Sequence, residues 1–400
     1  MTVEKSVPET EHPGELGFKN VVNLGFVSMF TDISTEMILG ILPIFVISQL
    51  GATKELLGLM EGAAEFLNDI FRILSGIITD KVGRLKPLIL LGYGLSTLAK
   101  PLFAFSTTFT HAFAVRLIDR VGKGVRTSPR DTLISESVKE SKSGRAFGLH
   151  RSADQVGAVI GPALAFVLLP FFGFRGIFWL SLIPGAISLL VLAFFVRDRR
   201  RRGTSTTLFK NTRTVLTRRF SIYLIVMGIF ALGAYSYSFV LVKAGSLGVQ
   251  TGMIPLVYAT LNIATVVIGY PSGILADRYG REKLLIGGFG IFFATSLVGF
   301  WSTQGVLVAF LIAFVYGMYL GISDALQRAL VPSFVSSELK GTAYAVYYLV
   351  VGVGSLIANL VFGLLWDRVS VSAAFEYSLI LSFVAIVGLT LSSLRNQGSD

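Results

Sequence analysis

Apolar runs of about 20 residues recur along the whole chain, and short polar turns separate them. A run of this length matches the hydrocarbon thickness of a bilayer when it forms a helix. The pattern predicts twelve transmembrane helices, at residues 21–48, 55–79, 86–106, 110–133, 146–170, 174–196, 220–242, 253–275, 284–301, 305–330, 343–365 and 375–394. The chain is therefore expected to be an all-α integral membrane protein.

The polar turns carry very different charges on the two sides of the predicted membrane. The basic turns are "DKVGRLK" (80–86), "KESKSGR" (139–145), the stretch 197–219 and "DRYGREK" (277–283), and all four lie on the side of the termini. Lys and Arg accumulate in cytoplasmic turns. Both termini are therefore predicted to be cytoplasmic, with the protein in the cytoplasmic (plasma) membrane.

The same pattern divides the chain into five predicted parts. They are a cytoplasmic N-terminal tail (1–20), a six-helix bundle (21–196), a basic cytoplasmic linker (197–219), a second six-helix bundle (220–394) and a C-terminal tail (395–400). The N-terminal tail lacks the apolar core of a signal peptide, so the first apolar run is expected to be a retained helix.

Composition supports the membrane assignment and excludes several kinds of site. Hydrophobic residues make up 53% of the chain and charged residues only 15%, whereas soluble proteins carry about 25% charged residues. The absence of cysteine excludes disulfides and thiolate metal sites. Because the basic turns account for much of the net charge of +11, we expect contact with anionic lipid headgroups and no nucleic-acid partner.

An internal repeat relates the two halves. The stretch "GIITDKVGRLK" from Gly76 recurs as "GILADRYGREK" from Gly273, at an offset of 197 residues. The same offset places "GRAFG" (144–148) on "GTAYA" (341–345), and Gly124 on Gly321. The repeat predicts two six-helix halves in parallel orientation, an architecture of transporters that bind substrate between the halves near the bilayer midplane.

The repeated motif resembles the signature between the second and third helices of the major facilitator superfamily. The matching positions are Gly76, Asp80, Gly83 and Arg84 in the first copy and Gly273, Asp277, Gly280 and Arg281 in the second. The resemblance covers nearly the whole chain and implies a twelve-helix transporter that works as a monomer. In this family the motif helps to hold the cytoplasmic side shut, so these residues are predicted to form a conformational gate.

Two shorter motifs are similar to elements of proton-coupled drug antiporters in that family. Arg120-x-x-Lys123-Gly124 resembles an Arg-x-x-Gln-Gly element, with Lys in place of Gln. Gly157-x-x-x-Gly161-Pro162 resembles the antiporter motif, although Ala165 and Phe166 stand where paired glycines are expected, and small residues at this spacing are common in membrane helices. The motifs favour export over uptake without excluding uptake.

Ionisable residues are concentrated in the predicted helices of the first half. Charges inside a membrane are costly and usually face protein or water at a functional site. Spacing of four residues places Asp32 and Glu36 on one helix face, and spacing of three or four does the same for a basic stripe on the fourth helix. The predicted proton- or substrate-binding residues are Asp32, Glu36, Glu65, Arg120 and Asp154, and the predicted cavity-lining residues are Glu61, Asp69, Arg116, Lys123, Arg126, His150, Arg151, Tyr235, Asn262, Asp324, Tyr347 and Tyr348.

The second half provides an internal control for these charges. At the offset of 197 residues, the equivalent of Glu65 is Asn262, that of Arg120 is Gly317, and that of Asp154 is Val351. The repeated fold therefore does not require the charges, although buried acids and bases that only neutralise one another remain an alternative, particularly for Glu61 and Asp69.

The predicted mechanism is proton-coupled antiport by alternating access. Two carboxylates one turn apart repel when both are ionised, and burial further disfavours the charged form. Asp32 or Glu36 would then bind alternately a proton and a cationic group of a small, cationic or amphipathic substrate, with Arg120 nearby. No cofactor is expected beyond the coupling ion, with H⁺ favoured over Na⁺.

Other functions stay open at this stage. The basic stripe suits an organic anion or a metal chelate, and clustered carboxylates suit a bare divalent metal, although the chain has no dense His or Cys cluster and no metal site is predicted. A non-transporting membrane receptor is less favoured. The sequence lacks His-Glu-x-x-His, Gly-x-Ser-x-Gly and Walker A motifs, so an enzyme is not expected.

Overall fold

The computed structural model describes residues 16–198 and 212–397, and every regular element in these ranges is helical. Much of the predicted basic linker and of the two predicted tails lies outside these ranges. The described helices form two consecutive sets of six, which are numbered α1 to α12 below.

The first six helices contain two breaks that glycine or proline explains. They are α1 (Gly17–Leu39, continued by Leu42–Ser48), α2 (Lys54–Lys81), α3 (Lys86–Ala99, extended by the 3₁₀ turn Lys100–Phe105) and α4 (Phe109–Ser137). The segment Ser143–Leu180 contains α5, which ends before Gly173, and the start of α6, which follows Gly173 and continues through Leu182–Phe194. Gly173 separates α5 from α6 because its φ of +62° is a left-handed conformation that glycine adopts readily. Pro43 begins the second segment of α1, where its missing N–H costs no helical hydrogen bond.

The second six helices follow the same course. They are α7 (Arg218–Gly233, continued by Tyr237–Ser246), α8 (Ile254–Tyr279), α9 (Arg281–Trp301), α10 (Val306–Leu330), α11 (Lys340–Arg368) and α12 (Val371–Gln397). The turn between α8 and α9 is a single residue, Gly280, whose φ of +96° again favours glycine.

Nine helical segments within the described ranges are long and apolar enough to cross a membrane. One of them, Glu140–Phe194, contains both α5 and α6. Two more helices, α2 and α4, have 28 and 29 residues but carry charges along their length. Together these segments account for twelve spans, and the predicted twelve-helix membrane fold is confirmed.

The internal repeat is visible in the packing of equivalent helices. A Cβ atom on Gly124 in α4 would lie 2.7 Å from the carbonyl oxygen of Asn68 in α2, and one on Gly321 in α10 would lie 2.7 Å from that of Thr265 in α8. Asn68 and Thr265 are themselves 197 residues apart. The same close backbone contact therefore occurs once in each half, at the offset that the sequence predicts.

The halves are closed against each other on the side opposite the termini. Gly58 and Gly62 of α2 pack on the backbone of α11, where a Cβ on Gly62 would lie 2.8 Å from the Cα of Leu356. At the ends of the same helices Lys54 pairs with Asp367 at 3.3 Å, and Arg368 pairs with Glu55 at 3.0 Å. Direct backbone contact leaves no passage for a solute between α2 and α11 on this side.

The halves are separated on the side of the termini. A cavity of about 600 Å³ lies there between α2, α4, α10 and α11 and is lined by Gly76, Asp80 and Asp131 among others. Arg72, Arg328 and Tyr348 line both this cavity and a central one. The structure is therefore the form of the molecule that opens toward the side of its termini.

Candidate functional site

A central cavity of about 460 Å³ lies between the two halves. Helices α1, α2, α4 and α5 line it from the first half, and α8, α10 and α11 from the second. Its 24 lining residues include six carboxylates and six Lys or Arg side chains, so its formal charge is zero when all are ionised. Three lining residues have aliphatic side chains, namely Ala158, Val266 and Val351. The cavity is strongly polar.

Most of the residues predicted from the sequence line this cavity. They are Asp32, Glu36, Glu65, Asp69, Lys123, Arg126, Arg151, Asp154, Asn262, Asp324, Tyr347 and Tyr348. The predicted residues outside its lining are Glu61, Arg116, Arg120, His150 and Tyr235. The structure thus brings together charges from four helices of the first half and polar groups from three helices of the second.

The spacing of Gly157 and Gly161 explains how α5 reaches the carboxylates of α1. A Cβ on Gly157 would lie 2.9 Å from the Cβ of Asp32, and one on Gly161 would lie 2.7 Å from the Cβ of Glu36. The two glycines therefore allow α5 to pack directly on the face of α1 that bears the acids. The same helix then presents Asp154 to the cavity beside them.

Glu36 is bonded to the other half of the molecule. The Oη of Tyr258 in α8 donates a hydrogen bond of 2.6 Å to Glu36 Oε2, and Asn262 Nδ2 approaches the same oxygen at 3.4 Å. Asn262 Nδ2 also donates to the carbonyl oxygen of Ala158 in α5 at 2.7 Å. Glu36 is therefore part of a hydrogen-bonded bridge that joins α1, α5 and α8.

Asp32 has a different environment. It lies in the cavity lining, and the charged groups that interact with it are Asp154, Glu36, Arg126 and Lys123. Within the described ranges it forms no ion pair shorter than 4 Å, in contrast with Glu61 or Asp324. Asp32 is thus a cavity-lining carboxylate without a direct cationic partner in these ranges.

A buried network of charges lies behind the cavity wall in the first half. Arg116 in α4 pairs with Glu61 in α2 at 2.7 Å, and both side chains are 1% exposed. Asp119 lies 3.7 Å from both Arg116 and Arg120 and accepts a hydrogen bond of 2.6 Å from Ser96 in α3. These contacts hold α2, α3 and α4 together, which is the structural role that the sequence left open for Glu61.

Arg120 connects this network to the cavity through Glu65. The Nη1 of Arg120 lies 3.9 Å from Glu65 Oε1, and the Glu65 side chain is 44% exposed while that of Arg120 is 2% exposed. The ion pairs of Arg120 are thus with Glu65 and Asp119. The sequence placed Arg120 beside Asp32 or Glu36, and the structure instead places it beside Glu65.

His150 and Asp154 form a pair one helical turn apart in α5. His150 Nδ1 lies 3.5 Å from Asp154 Oδ2, and the His150 side chain is buried outside the cavity lining. His150 Nε2 and Asp154 Oδ1 have no hydrogen-bond partner in the described parts of the chain. Asp154 therefore lines the cavity and has one buried oxygen without a hydrogen-bond partner in these ranges.

The second half supplies a cluster of Tyr, Arg and Asp side chains at the neck between the two cavities. Arg328 pairs with Asp324 one turn away in α10, and the guanidinium of Arg72 lies 5.0 Å from the ring centre of Tyr348 in α11. Tyr347 Oη donates a 3.0 Å hydrogen bond to Gln327. These contacts connect α2 of the first half with α10 and α11 of the second.

Tyr235 is not in the cavity lining, and its placement from the sequence is corrected. The residue is 2% exposed, and its ring packs among those of Phe292, Tyr316, Phe362 and Phe375. It belongs to the aromatic core of the second half, because its position after the end of the first α7 segment directs it between α9, α10 and α11.

The two copies of the gate motif differ in their surroundings. In the first copy a Cβ on Gly76 would lie 3.4 Å from the Oγ of Ser128 in α4, and Gly76 and Asp80 line the cavity on the side of the termini. Gly83 and Arg84 are exposed in the following turn. In the second copy Arg281 donates a 3.2 Å hydrogen bond to the carbonyl oxygen of Ala329 in α10.

The rest of the second copy lies at the open face. Gly273, Asp277 and Gly280 are exposed there. The gate motif is thus placed at the side that is open in this structure, where a closing movement would bring the halves together.

Several cavity residues are absent from the sequence prediction. They include Asn68, Arg72, Arg130, Gln155, Gln327 and Arg328. Gln327 and Arg328 follow the predicted Asp324 by three and four residues, and Tyr258, which bonds to Glu36 from outside the lining, precedes the predicted Asn262 by four. One-turn spacing from a predicted residue is the sequence signal that identifies these positions.

Comparisons with known proteins agree with this architecture. The chain matches the family model described as Major Facilitator Superfamily at residues 24–269 and 223–398. An MFS-type transporter of Methanocaldococcus jannaschii is 32% identical over 377 residues, covering 92% of this chain and 93% of that protein. The multidrug resistance protein MdtH of Blochmanniella floridana is 24% identical over 268 residues, covering 65% of this chain and 66% of that protein.

A solved transporter structure has a similar fold. The crystal structure of the nucleoside transporter NupG superposes with a TM-score of 0.74 at 13% identity, covering 94% of this chain and 98% of that chain. At this identity the likeness concerns the fold alone.

Proposed function

The chain belongs to the major facilitator superfamily, and from this premise we propose that it is a proton-coupled transporter that exports a small solute with a cationic group. The observation that carries the proposal is the position of Asp32, a carboxylate in the lining of a cavity between the two halves that has no ion-pair partner in the described ranges. The name of the related MdtH, a multidrug resistance protein, favours export.

The proposed mechanism uses competition for one negative charge. A proton and a cationic group cannot both neutralise Asp32 at the same time, so binding of one releases the other. Asp154 and Glu36 lie close enough to interact with Asp32, and repulsion among these acids favours binding of a proton or a cation at the group. The polar lining favours a cationic solute over an amphipathic one, because drug-binding pockets are mostly apolar.

Alternating access would follow from movement of the two halves about this cavity. In the present form α2 and α11 are in backbone contact on the side opposite the termini, and the cavity opens toward the other side. We propose that the opening side is the cytoplasmic side of the plasma membrane, since the basic turns lie there, and that the protein acts as a monomer. Access of impermeant reagents to tags at each terminus in intact cells tests this orientation.

A second candidate function is transport of an organic anion or of a metal chelate. Lys123 and Arg126 line the cavity, and Lys or Arg side chains bind carboxylates and phosphates. A bare divalent metal is less well supported, since the described parts of the chain contain no group of three or more His, Asp or Glu side chains that could hold a metal ion. Proton movement measured after addition of a cationic or of an anionic solute distinguishes the two candidates.

The proposal is tested with purified protein in liposomes that enclose a fluorescent pH indicator. A cationic solute added outside the liposomes should enter in exchange for internal protons, so the internal pH should rise in the wild-type protein. The variants Asp32→Asn and Glu36→Gln are measured separately, and Glu376→Gln on the exposed part of α12 is the matched control. We expect Asp32→Asn to abolish solute-driven proton movement and the control to retain it. Full coupling in both acidic variants would refute the proposal.

A further inference from the structure

The cavity contains a buried guanidinium without a carboxylate partner. Arg126 is 4% exposed and lines the cavity, and its Nε and Nη1 atoms have no hydrogen-bond partner in the described parts of the chain. Its guanidinium carbon lies 4.3 Å from the ring centre of Tyr93. An unpartnered buried charge of this kind is costly, so a negative group that binds in the cavity would gain a strong interaction.

Lys123 adds a second positive charge at the same wall. It lies one helical turn before Arg126 in α4 and also lines the cavity. Other basic residues of this helix, namely Arg116, Arg120 and Arg130, form ion pairs with Glu61, Glu65, Asp119 or Asp131. Within the described ranges neither Lys123 nor Arg126 forms an ion pair shorter than 4 Å. The two side chains are thus cations of the cavity wall that form no direct ion pair in these ranges.

Acidic groups without close cationic partners face the same space. Asp32 interacts electrostatically with Arg126 and Lys123, yet no pair among these three residues lies within 4 Å in the parts of the chain that the structure describes. Asp154 has one oxygen without a hydrogen-bond partner there. Opposite charges that face one cavity without direct contact leave room for a ligand that satisfies both.

The charge and size of the cavity restrict this ligand further. Six acidic and six basic lining residues give no net preference for a cation or an anion. The volume of about 460 Å³ is in the lower part of the range for small-molecule sites, about 300–1,000 Å³. Three aliphatic side chains among 24 offer little surface to a lipophilic compound.

We infer that the substrate is a compact zwitterion, an amino carboxylate of the size of an amino acid or a dipeptide. Its ammonium group binds Asp32 and Asp154, and its carboxylate binds Arg126 and Lys123. The inference rests on the proposed transport function and deepens it, since the ammonium group is the cation that competes with the proton. A zwitterion also binds both the acidic and the basic side chains of the cavity with a single molecule.

The experiment compares three charge states of one scaffold. The probes are L-phenylalanine (zwitterion), L-phenylalaninamide (cation) and N-acetyl-L-phenylalanine (anion), with a second set built on the dipeptide Ala-Phe. Binding to the purified protein is measured as the shift in thermal unfolding midpoint and by calorimetric titration. We expect at least one zwitterion to bind about tenfold or more tightly than its amide and N-acetyl forms, because each lost charge-assisted contact weakens binding by this order.

Two variants test which side chains bind the carboxylate and which bind the ammonium group of the ligand. Arg126→Gln should remove the preference for the zwitterion over the amide, and Asp32→Asn should remove the preference for the zwitterion over the N-acetyl form. Lys123→Gln repeats the first test at a less buried position, in case Arg126→Gln does not fold. Arg175→Gln, an exposed arginine on the side opposite the termini, and Glu376→Gln are the matched controls and should bind as the wild type does.

The outcomes separate this inference from the proposed function. Tightest binding of the amide or of the N-acetyl form, or no binding of any probe, would overturn the zwitterion assignment. Proton movement is measured independently in liposomes with the tightest-binding probe. A zwitterion that binds as expected but moves no protons would leave the assignment standing and refute proton coupling.

Discussion

Tyr258 of the second half donates a 2.6 Å hydrogen bond to Glu36 of the first half, inside the interface that must rearrange during transport. The bond joins α8 to α1 directly. Glu36 therefore takes part in the contact between the halves, whereas Asp32 lines the cavity without an ion-pair partner in the described ranges.

The first prediction concerns this bond. Tyr258→Phe removes the donor and should lower the free energy of unfolding by about 1.5–3 kcal/mol, the usual contribution of a hydrogen bond to a charged group. Glu36→Gln keeps an acceptor oxygen and should cost less. Chemical unfolding of the purified protein in detergent gives both values. Equal losses in the two variants would show that the hydrogen bond stabilises the interface only when its acceptor is a charged carboxylate.

The second prediction concerns the buried pair of Glu61 and Arg116, whose side chains are both 1% exposed. Arg116→Met leaves the Glu61 carboxylate buried without its partner and should cost about 3–5 kcal/mol of unfolding free energy. The double variant Glu61→Leu with Arg116→Met should recover most of this loss. Transport by the double variant reports whether the pair has a purely structural role. A double variant as unstable as the single one would contradict the pairing argument.

The third prediction concerns closure on the side opposite the termini. Gly62→Leu places a side chain against the backbone of α11 near Leu356 and should prevent α2 and α11 from meeting. Transport should fall by about 5-fold to 150-fold, since overpacking costs about 1–3 kcal/mol. A single cysteine introduced at Ala52 should react faster with an impermeant thiol reagent, and the natural chain contains no cysteine to interfere.

Gly94→Leu is the control for this closure test, because a Cβ at Gly94 would have no atom of the described residues within 4 Å. It should leave both transport and labelling unchanged. Normal labelling in Gly62→Leu would show that the halves close on this side without the glycine contact.

The fourth prediction uses the internal repeat. Gly124→Ala and Gly321→Ala each place a methyl group 2.7 Å from a carbonyl oxygen of the neighbouring helix. Both variants should lower the unfolding free energy by about 1–3 kcal/mol, and the two losses should be similar. Unfolding of each purified variant measures them, with Gly290→Ala in open space as the control. A loss confined to one half would contradict equivalent packing.

The sequence predicts the fold well because the fold depends on patterns that repeat. Apolar run lengths predict the helices, and one offset predicts that Gly124 and Gly321 have the same packing role, which the structure confirms. The glycine spacing at Gly157 and Gly161 also marks a close helix contact. The sequence does not indicate that this contact falls on Asp32 and Glu36, because pairing between helices depends on their arrangement in space.

The candidate site is predicted less completely. Ionisable residues in apolar helices stand out, so Asp32, Lys123 and Arg126 are identifiable without a structure. Tyrosines do not stand out, since an aromatic ring with one hydroxyl suits either a cavity or a core. The sequence placed Tyr235 in the cavity although it lies in the aromatic core, and it overlooked Tyr258, which bonds to Glu36 across 222 residues of chain.

The balance of six acidic and six basic side chains around the cavity has a consequence for leakage. An empty cavity with these groups holds water, and closing it on both sides would require charged groups to lose that water without compensation. A ligand that forms ion pairs with both the acidic and the basic groups replaces part of that water and lowers this barrier. If the protein exchanges solute for protons as proposed, the carrier without cargo returns slowly across the membrane, and this slow return limits the dissipation of the ion gradient.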